Sequence, residues 1–289
     1  MESLTKQCTE MEKEYRSAPG LNSTFLAQFY ESQDHALLKT PHKSHFETGH
    51  IFEDMVRDAC KGTTFFKDRY FVSSVTSGGI PDELMPWIEK GVDLETKYVY
   101  TTKNERHRTY KTRHAYLDEC LNNPGKYPIS LYDYDMLSIM LCNFLDMELF
   151  GATMLDVLSQ AEFQVPIYWE ERGIKKKALA DAVLCLGATY MFDIKTSANP
   201  VQLRQMMNNK YWIQKEHYTE GGKAEYGNIE EFVFLVAYKE DPFLCEPIEI
   251  CGDTSFEYND LCARAMTWLG DGKPNKGYLP LRKHYVRLF

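Results

Sequence analysis

Three residues have the types and spacing to do chemistry together: Asp181, Asp193 and Lys195. Asp193 and Lys195 flank Ile194 in "DIKTSANP", residues 193–200, where an apolar strand ends just before a helix start. Side chains two apart on a strand share a face, so the carboxylate and the ammonium stand side by side while Phe192 and Ile194 enter the opposite layer. If the preceding hairpin turns at Gly187, Asp181 falls across from Asp193, with Cβ atoms about 5 Å apart. Two facing carboxylates on a partly buried sheet repel, and a proton or a divalent cation between them relieves the repulsion. Mg2+ suits such a place because one or two carboxylates hold it while waters and phosphate oxygens complete its shell. Lys195 beside that cation would hold an attacking water or stabilise charge developing on a phosphate.

These positions require a specific set of elements. "AEFQVPIYWEE", "KKKALADAVLCLG" and "ATYMFDIKT" read as three strands of a meander from residue 161, with "ERG" as the first turn and Gly187 closing the second strand. Lys175, Lys176 and Lys177 sit at that first turn and read as a solvated face. Glu162 opens the first strand, either as an ordinary edge acid or as a further site carboxylate. Asn199 and Pro200 have the chemistry of an N-cap and first helical position, opening a helical region that runs to the double glycine Gly221–Gly222. Within it, Tyr211 and Trp212 read as core filling. "EEFVFLVAYKE" is a continuous apolar strand, and "TSFEYNDLCARAMTWLGDG" is a late amphipathic helix.

Upstream, "HFETGHIFEDMVRDACKG" places Ile51, Met55, Val56 and Ala59 at helical spacing and ends on Gly62. Residues 129–151 read as a scaffold helix with Ser130 as N-cap and Asp133 three positions on. The least regular stretch, 71–104, reads as a loop or an inserted arm. The expected class is α/β (α+β), with an α-β-β-β-α-β order and a mixed sheet flanked by helices. Residues 1–289 are read as one domain: a helical region over 1–160 with an arm over 71–128, a catalytic sheet and helix over 161–240, and a C-terminal extension over 241–289.

Composition bounds the rest. The chain has 289 residues, 44% hydrophobic and 13% aromatic, enough for one sizeable core. No basic stretch followed by an apolar run opens the chain, and no window approaches a membrane span, so a soluble, cytoplasmic protein is expected. The eight cysteines form no C-x-x-C pair, which argues for buried thiols and against a disulfide framework or a structural zinc site. The formal charge of −9 argues against a wholly basic binding surface but permits a local basic groove beside acidic ligands. "KNERHRTYKTRH" supplies such a patch: Arg106, Arg108 and Lys111 to grip phosphates, with Tyr110 to stack on a base.

Asp181, "FDIKT" and the later "YWIQKEHY" together resemble the PD-(D/E)XK nuclease superfamily, in its exonuclease branch with a Q-x-x-x-Y motif. Within it the chain is most similar to RecE-type and lambda-exonuclease-like phage recombination nucleases, from "LNSTFLAQFYES" through "TGHIFEDMV", "PISLYDYDMLSIM" and "EFQVPIYWEERG" to the strand after residue 231. The resemblance implies that Asp181 and Asp193 bind metal with the Ile194 carbonyl, and that Lys195 is catalytic. It also implies that Gln214 and Tyr218, one helical turn apart, face the substrate. Many relatives carry Gly-x-x-x-His on the first helix, where this chain has Gly49 and Glu53. Glu53 is the expected ligand, with His50 one turn away as the alternative.

The implied activity is a Mg2+-dependent exodeoxyribonuclease of two-metal type, with Mn2+ as a substitute, digesting linear duplex DNA 5′ to 3′. The implied partners are DNA ends, a single-strand annealing protein and further copies of the chain in a ring, with no membrane. Two alternatives remain. One is a CRISPR-associated or helicase-linked nuclease of the same superfamily; its usual iron–sulfur cluster is not expected here, because Cys245, Cys251 and Cys262 have the wrong spacing. The other is a DNA-binding protein on an inactive nuclease fold, which the intact Asp181, Asp193 and Lys195 set disfavours.

Overall fold

The computed structural model describes residues 4–33, 36, 44–75 and 110–272. In chain order the elements are α1 (Leu4–Ser17), α2 (Ser23–Glu31), α3 (Ser44–Lys61), α4 (Phe65–Arg69), β1 (Tyr70–Ser73), α5 (Tyr110–Asn122), β2 (Tyr127–Ser130) and α6 (Leu131–Asp146). There follow the short strands β3 (Glu148–Leu149) and β4 (Ala152–Thr153), α7 (Met154–Gln160), and the meander β5 (Glu162–Glu171), β6 (Ile174–Leu186) and β7 (Ala188–Ser197). Then come α8 (Pro200–Met206), a π-helical turn (Met207–Tyr211), α9 (Trp212–Tyr226), β8 (Glu231–Tyr238), β9 (Cys245–Ile248) and α10 (Ser255–Gly270).

The chain divides into two compact units, Met1–Pro41 with Asp156–Val236 and Glu246–Phe289, and His42–Leu155 with Ala237–Cys245. In the first, β5, β6 and β7 pair antiparallel in sequence. The five-stranded sheet has the order β5-β6-β7-β8-β9. The Glu230 N–H donates to the Thr189 carbonyl at 2.8 Å, joining the start of β8 to the start of β7 in the parallel sense, so the sheet is mixed as expected. Strand β8 is buried along nearly its whole length, as its unbroken apolar run requires. Leu26 and Phe29 of α2, Ile213 of α9, and Tyr258, Leu261, Ala265 and Trp268 of α10 form a buried cluster.

In the second unit β1 and β2 pair in parallel. Phe52 of α3 meets Phe144 of α6 edge to face, with ring centroids 5.4 Å apart. The Ser130 hydroxyl accepts the Asp133 N–H at 3.0 Å, and the Asn199 side chain accepts the Gln202 N–H at 3.1 Å, so both N-caps form where the sequence puts them. Among 71–104, residues 71–73 belong to β1; residues 76–109 lie outside the described residues.

Several local expectations are corrected. The helix after Ser130 stops at Asp146, and the chain turns back through Phe150 and Gly151, both at positive φ (55° and 77°), to pair β3 with β4. Helix α9 does not end at Gly221–Gly222 but continues to a cap at Gly227 (φ 78°). Both glycines are packing positions: a Cβ on Gly221 would lie 2.8 Å from the Trp169 ring, and one on Gly222 would lie 2.5 Å from Met191 Sδ. Helix α3 buries Ile51, Met55 and Val56 but exposes Ala59. Among the described cysteines all are free, and Cys142, Cys185 and Cys251 are exposed thiols, not buried ones.

Candidate active site

The β6–β7 hairpin turns at Gly187 (φ 76°), a left-handed conformation that glycine adopts without steric cost. From there the register runs Leu186↔Ala188, Cys185↔Thr189, Leu184↔Tyr190, Val183↔Met191 and Ala182↔Phe192. The next positions in that register are Asp181 and Asp193, as the Gly187-centred hairpin requires. The ladder stops there. In its place the Asp181 Oδ2 accepts the Ile194 N–H at 2.8 Å, so a side chain occupies the position of a backbone acceptor. On an extended strand a residue's N–H and C=O project to the same edge, so the Ile194 carbonyl also faces β6.

Asp193 is only 1% exposed. Its Oδ2 pairs with the Lys195 ammonium, and its Oδ1 accepts a hydrogen bond from the Gln214 side-chain amide. Lys195 reaches solvent, its side chain 23% exposed. Burial disfavours its charge, but the Asp193 carboxylate and then Asp181 outweigh that and hold its pKa above the ordinary lysine value. Tyr211, in the π-helical turn, stacks on Phe234 with centroids 5.3 Å apart, and its ring centroid lies 6.0 Å from the Lys195 ammonium. Half-buried Trp212 packs edge-on to Tyr30 at 5.5 Å. Tyr218 is buried, and its hydroxyl donates to the Leu179 carbonyl at 2.9 Å. Burial, reinforced by the Asp193 and Asp181 charges, drives its phenol pKa well up. Tyr218 thus braces β6 two residues before Asp181.

The first unit therefore brings together Asp181, Asp193, Ile194, Lys195, Gln214 and Tyr218. Glu53 lies on α3 in the second unit, its Oε2 3.8 Å from His50 Nδ1. Lys111 is an exposed residue of α5, also in the second unit. Arg106 and Arg108 lie outside the described residues. Glu162 is exposed at the start of β5, opposite Val183. Among the described residues no group of three or more His, Cys, Asp or Glu comes together to hold a metal. The Asp181 and Asp193 carboxylates, with the neighbouring Ile194 carbonyl, nevertheless make an all-oxygen donor set. That set fits a hard cation such as Mg2+, which takes only one or two carboxylates from protein.

The lysine run is the largest departure from the sequence reading. The first hairpin turns at Arg172 and Gly173 (φ 52° and 76°), leaving all three lysines inside β6. Lys176 is 2% exposed and Lys177 6%. The Lys176 ammonium bonds Glu220 and lies 3.2 Å from Glu171. Lys177 donates to the carbonyls of Tyr15 (2.9 Å) and Ala18 (2.6 Å), capping the C-terminal end of α1, where the helix dipole favours a cation. Around Glu220 gather the Trp169 indole N–H (3.2 Å) and the Tyr258 hydroxyl (3.1 Å), and that hydroxyl also lies 2.7 Å from Nδ1 of fully buried His217. The missed signal is strand alternation: three consecutive lysines on one strand must send at least one to each face.

No protein-family model matches the chain, and no curated protein matches it by sequence. Among solved structures the chain is similar to a protein from Eubacterium rectale named "Putative exonuclease", at 14% identity and a TM-score of 0.53, covering 95% of this chain and 88% of that one. This likeness shows a shared α/β fold with a mixed sheet flanked by helices. A second structure, named SSO0001, aligns over 85% of each chain at 15% identity with a TM-score of 0.29, too low to carry an argument. Among the described residues no helix is long and apolar enough to cross a membrane.

Proposed function

We propose that the chain is a metal-dependent nuclease that digests linear duplex DNA from its ends. The observation that carries this reading is the meeting of Asp181 and Asp193 at the point where the β6–β7 ladder stops, with Lys195 paired to Asp193 at the solvent edge. The fold shared with a structure named as an exonuclease supports the same reading. In this reading Asp181, Asp193 and the Ile194 carbonyl hold Mg2+, or Mn2+ in its place. When bound, such a cation supplies charge neutralisation at a phosphate and lowers the pKa of a coordinated water. Lys195 is a hydrogen-bond donor toward the scissile phosphate or the attacking water, because an ammonium held beside two carboxylates has protons to give and no lone pair to accept one. Gln214 keeps the Asp193 carboxylate from rotating, and Tyr218 fixes β6 beneath Asp181.

The finer proposals follow the sequence resemblance: 5′ to 3′ polarity, a single-stranded product handed to an annealing protein, and assembly into a ring. Linear and covalently closed duplexes incubated with Mg2+ test the reading. Release of mononucleotides from the linear form alone is expected, and strands labelled at one end or the other then give the polarity. Intact linear duplex under Mg2+ and Mn2+ contradicts it.

A further inference from the structure

Gln164 of β5 is a non-glycine residue at positive φ (53°) in the middle of a strand, and it is 7% exposed. Left-handed backbone is sterically disfavoured for a residue with a side chain and persists where the surroundings impose it. The register shows where that strain sits. The β5–β6 ladder passes from Phe163↔Ala182 to Val165↔Ala180, which places Gln164 opposite Asp181. The β6–β7 ladder ends at Ala182↔Phe192, which places Asp193 opposite Asp181 on the other side. Gln164, Asp181 and Asp193 therefore stand in one row across three strands, and regular pairing is interrupted on both edges of β6 at Asp181. The Gln164 amide nitrogen lies 3.4 Å from Asp181 Oδ1, while the Ile194 N–H holds Asp181 Oδ2.

We propose that Gln164 is a positioning residue for Asp181: its left-handed backbone aims the side-chain amide at one carboxylate oxygen while β7 holds the other, so the carboxylate plane is fixed from both neighbouring strands. This rests on the nuclease reading, in which Asp181 is a metal ligand. Groups that orient a ligand typically contribute about 10–100-fold to metal affinity.

Two variants test it. Gln164→Gly removes the amide and suits the left-handed backbone; Gln164→Met keeps the length of the side chain but has no donor. With Mn2+ alone, followed by calorimetry without DNA, both variants should bind about tenfold more weakly than wild type. The Gly variant should melt no lower than wild type, since glycine relieves the strain. Single-turnover cleavage should slow in both, with DNA affinity unchanged. Wild-type Mn2+ affinity in both variants overturns the proposal and leaves Gln164 as a feature of the strand alone. A wild-type protein that neither binds Mn2+ nor cleaves DNA overturns the nuclease reading and this inference with it.

Discussion

Strand β6 carries charge at two places, buried at Lys176 and Lys177 and half-buried at Asp181, and the two are built differently. Near its start, Lys176 and Lys177 are enclosed by full sets of partners, and the ladder to β5 runs unbroken through Lys176↔Trp169 and Lys177↔Tyr168. Glu220 there receives an ammonium and an indole N–H, and the Tyr258 hydroxyl beside it serves His217 Nδ1, so each buried polar group is answered by another. Five residues on, at Asp181, regular pairing gives way on both sides, a left-handed glutamine faces the carboxylate, and the next cross-strand position is a second acid. Charge is common to both places. What separates them is the interrupted backbone and the meeting of like charges. The first arrangement holds α1, α9 and α10 to the sheet, and the second sets two carboxylates at facing positions of adjacent strands.

If that contrast is right, the lysine end governs stability and the aspartate end governs chemistry. The largest effect is expected from Lys176→Met, which leaves Glu220 without its cation. Removing one member of a buried pair costs about 3–5 kcal/mol, and the low end applies because the Trp169 indole N–H still donates to Glu220. Chemical denaturation should show this loss while cleavage per folded molecule is unchanged; a stable but inactive variant would place Lys176 in the chemistry.

A pH titration sharpens the same point. Burial lowers the His217 pKa to about 4, against about 6.5 for an unfolded histidine, and its Nε2 must carry the proton because it faces the Lys177 carbonyl at 2.9 Å. The unfolded chain then binds more protons between pH 6.5 and 4, so stability is full above that window and falls as pH drops through it. The expected contribution is about 2 kcal/mol lost between pH 7 and pH 5. His217→Gln should flatten that part of the profile, and identical slopes in the two proteins would contradict the assignment.

A smaller effect is expected at the aspartate end from Gln214→Ala, which frees Asp193 Oδ1 from its amide donor: about tenfold slower cleavage with the melting temperature little changed. A large drop in melting temperature with normal cleavage would make Gln214 a core residue.

What the sequence revealed, and what it hid, follows the reach of each interaction. The Gly187 turn, the Ser130 cap and the Asn199–Pro200 helix start are settled within a few residues, and each forms where turn and cap chemistry puts it. The pairing of Asp181 with Asp193 follows from the turn alone, because a hairpin's register is fixed by its loop. The buried lysines depend on partners at Tyr15, Ala18 and Glu220, far away in sequence, so a local reading sees only charge. Gly221 and Gly222 read as a helix end because the Trp169 and Met191 side chains that exclude a Cβ belong to other elements. Gln164 is silent in the sequence, since its identity gives no sign of a left-handed backbone.

The central claim is that Lys195 stands beside Asp193 for chemistry and not as a structural ion pair, and Lys195→Ala tests it directly. Thermal midpoint and single-turnover cleavage are measured on the same sample. A catalytic Lys195 predicts a midpoint within a few degrees of wild type and cleavage slowed by about 10²–10³-fold, the usual cost of losing one preorganised electrostatic donor. An unchanged cleavage rate, with or without lower stability, would contradict it.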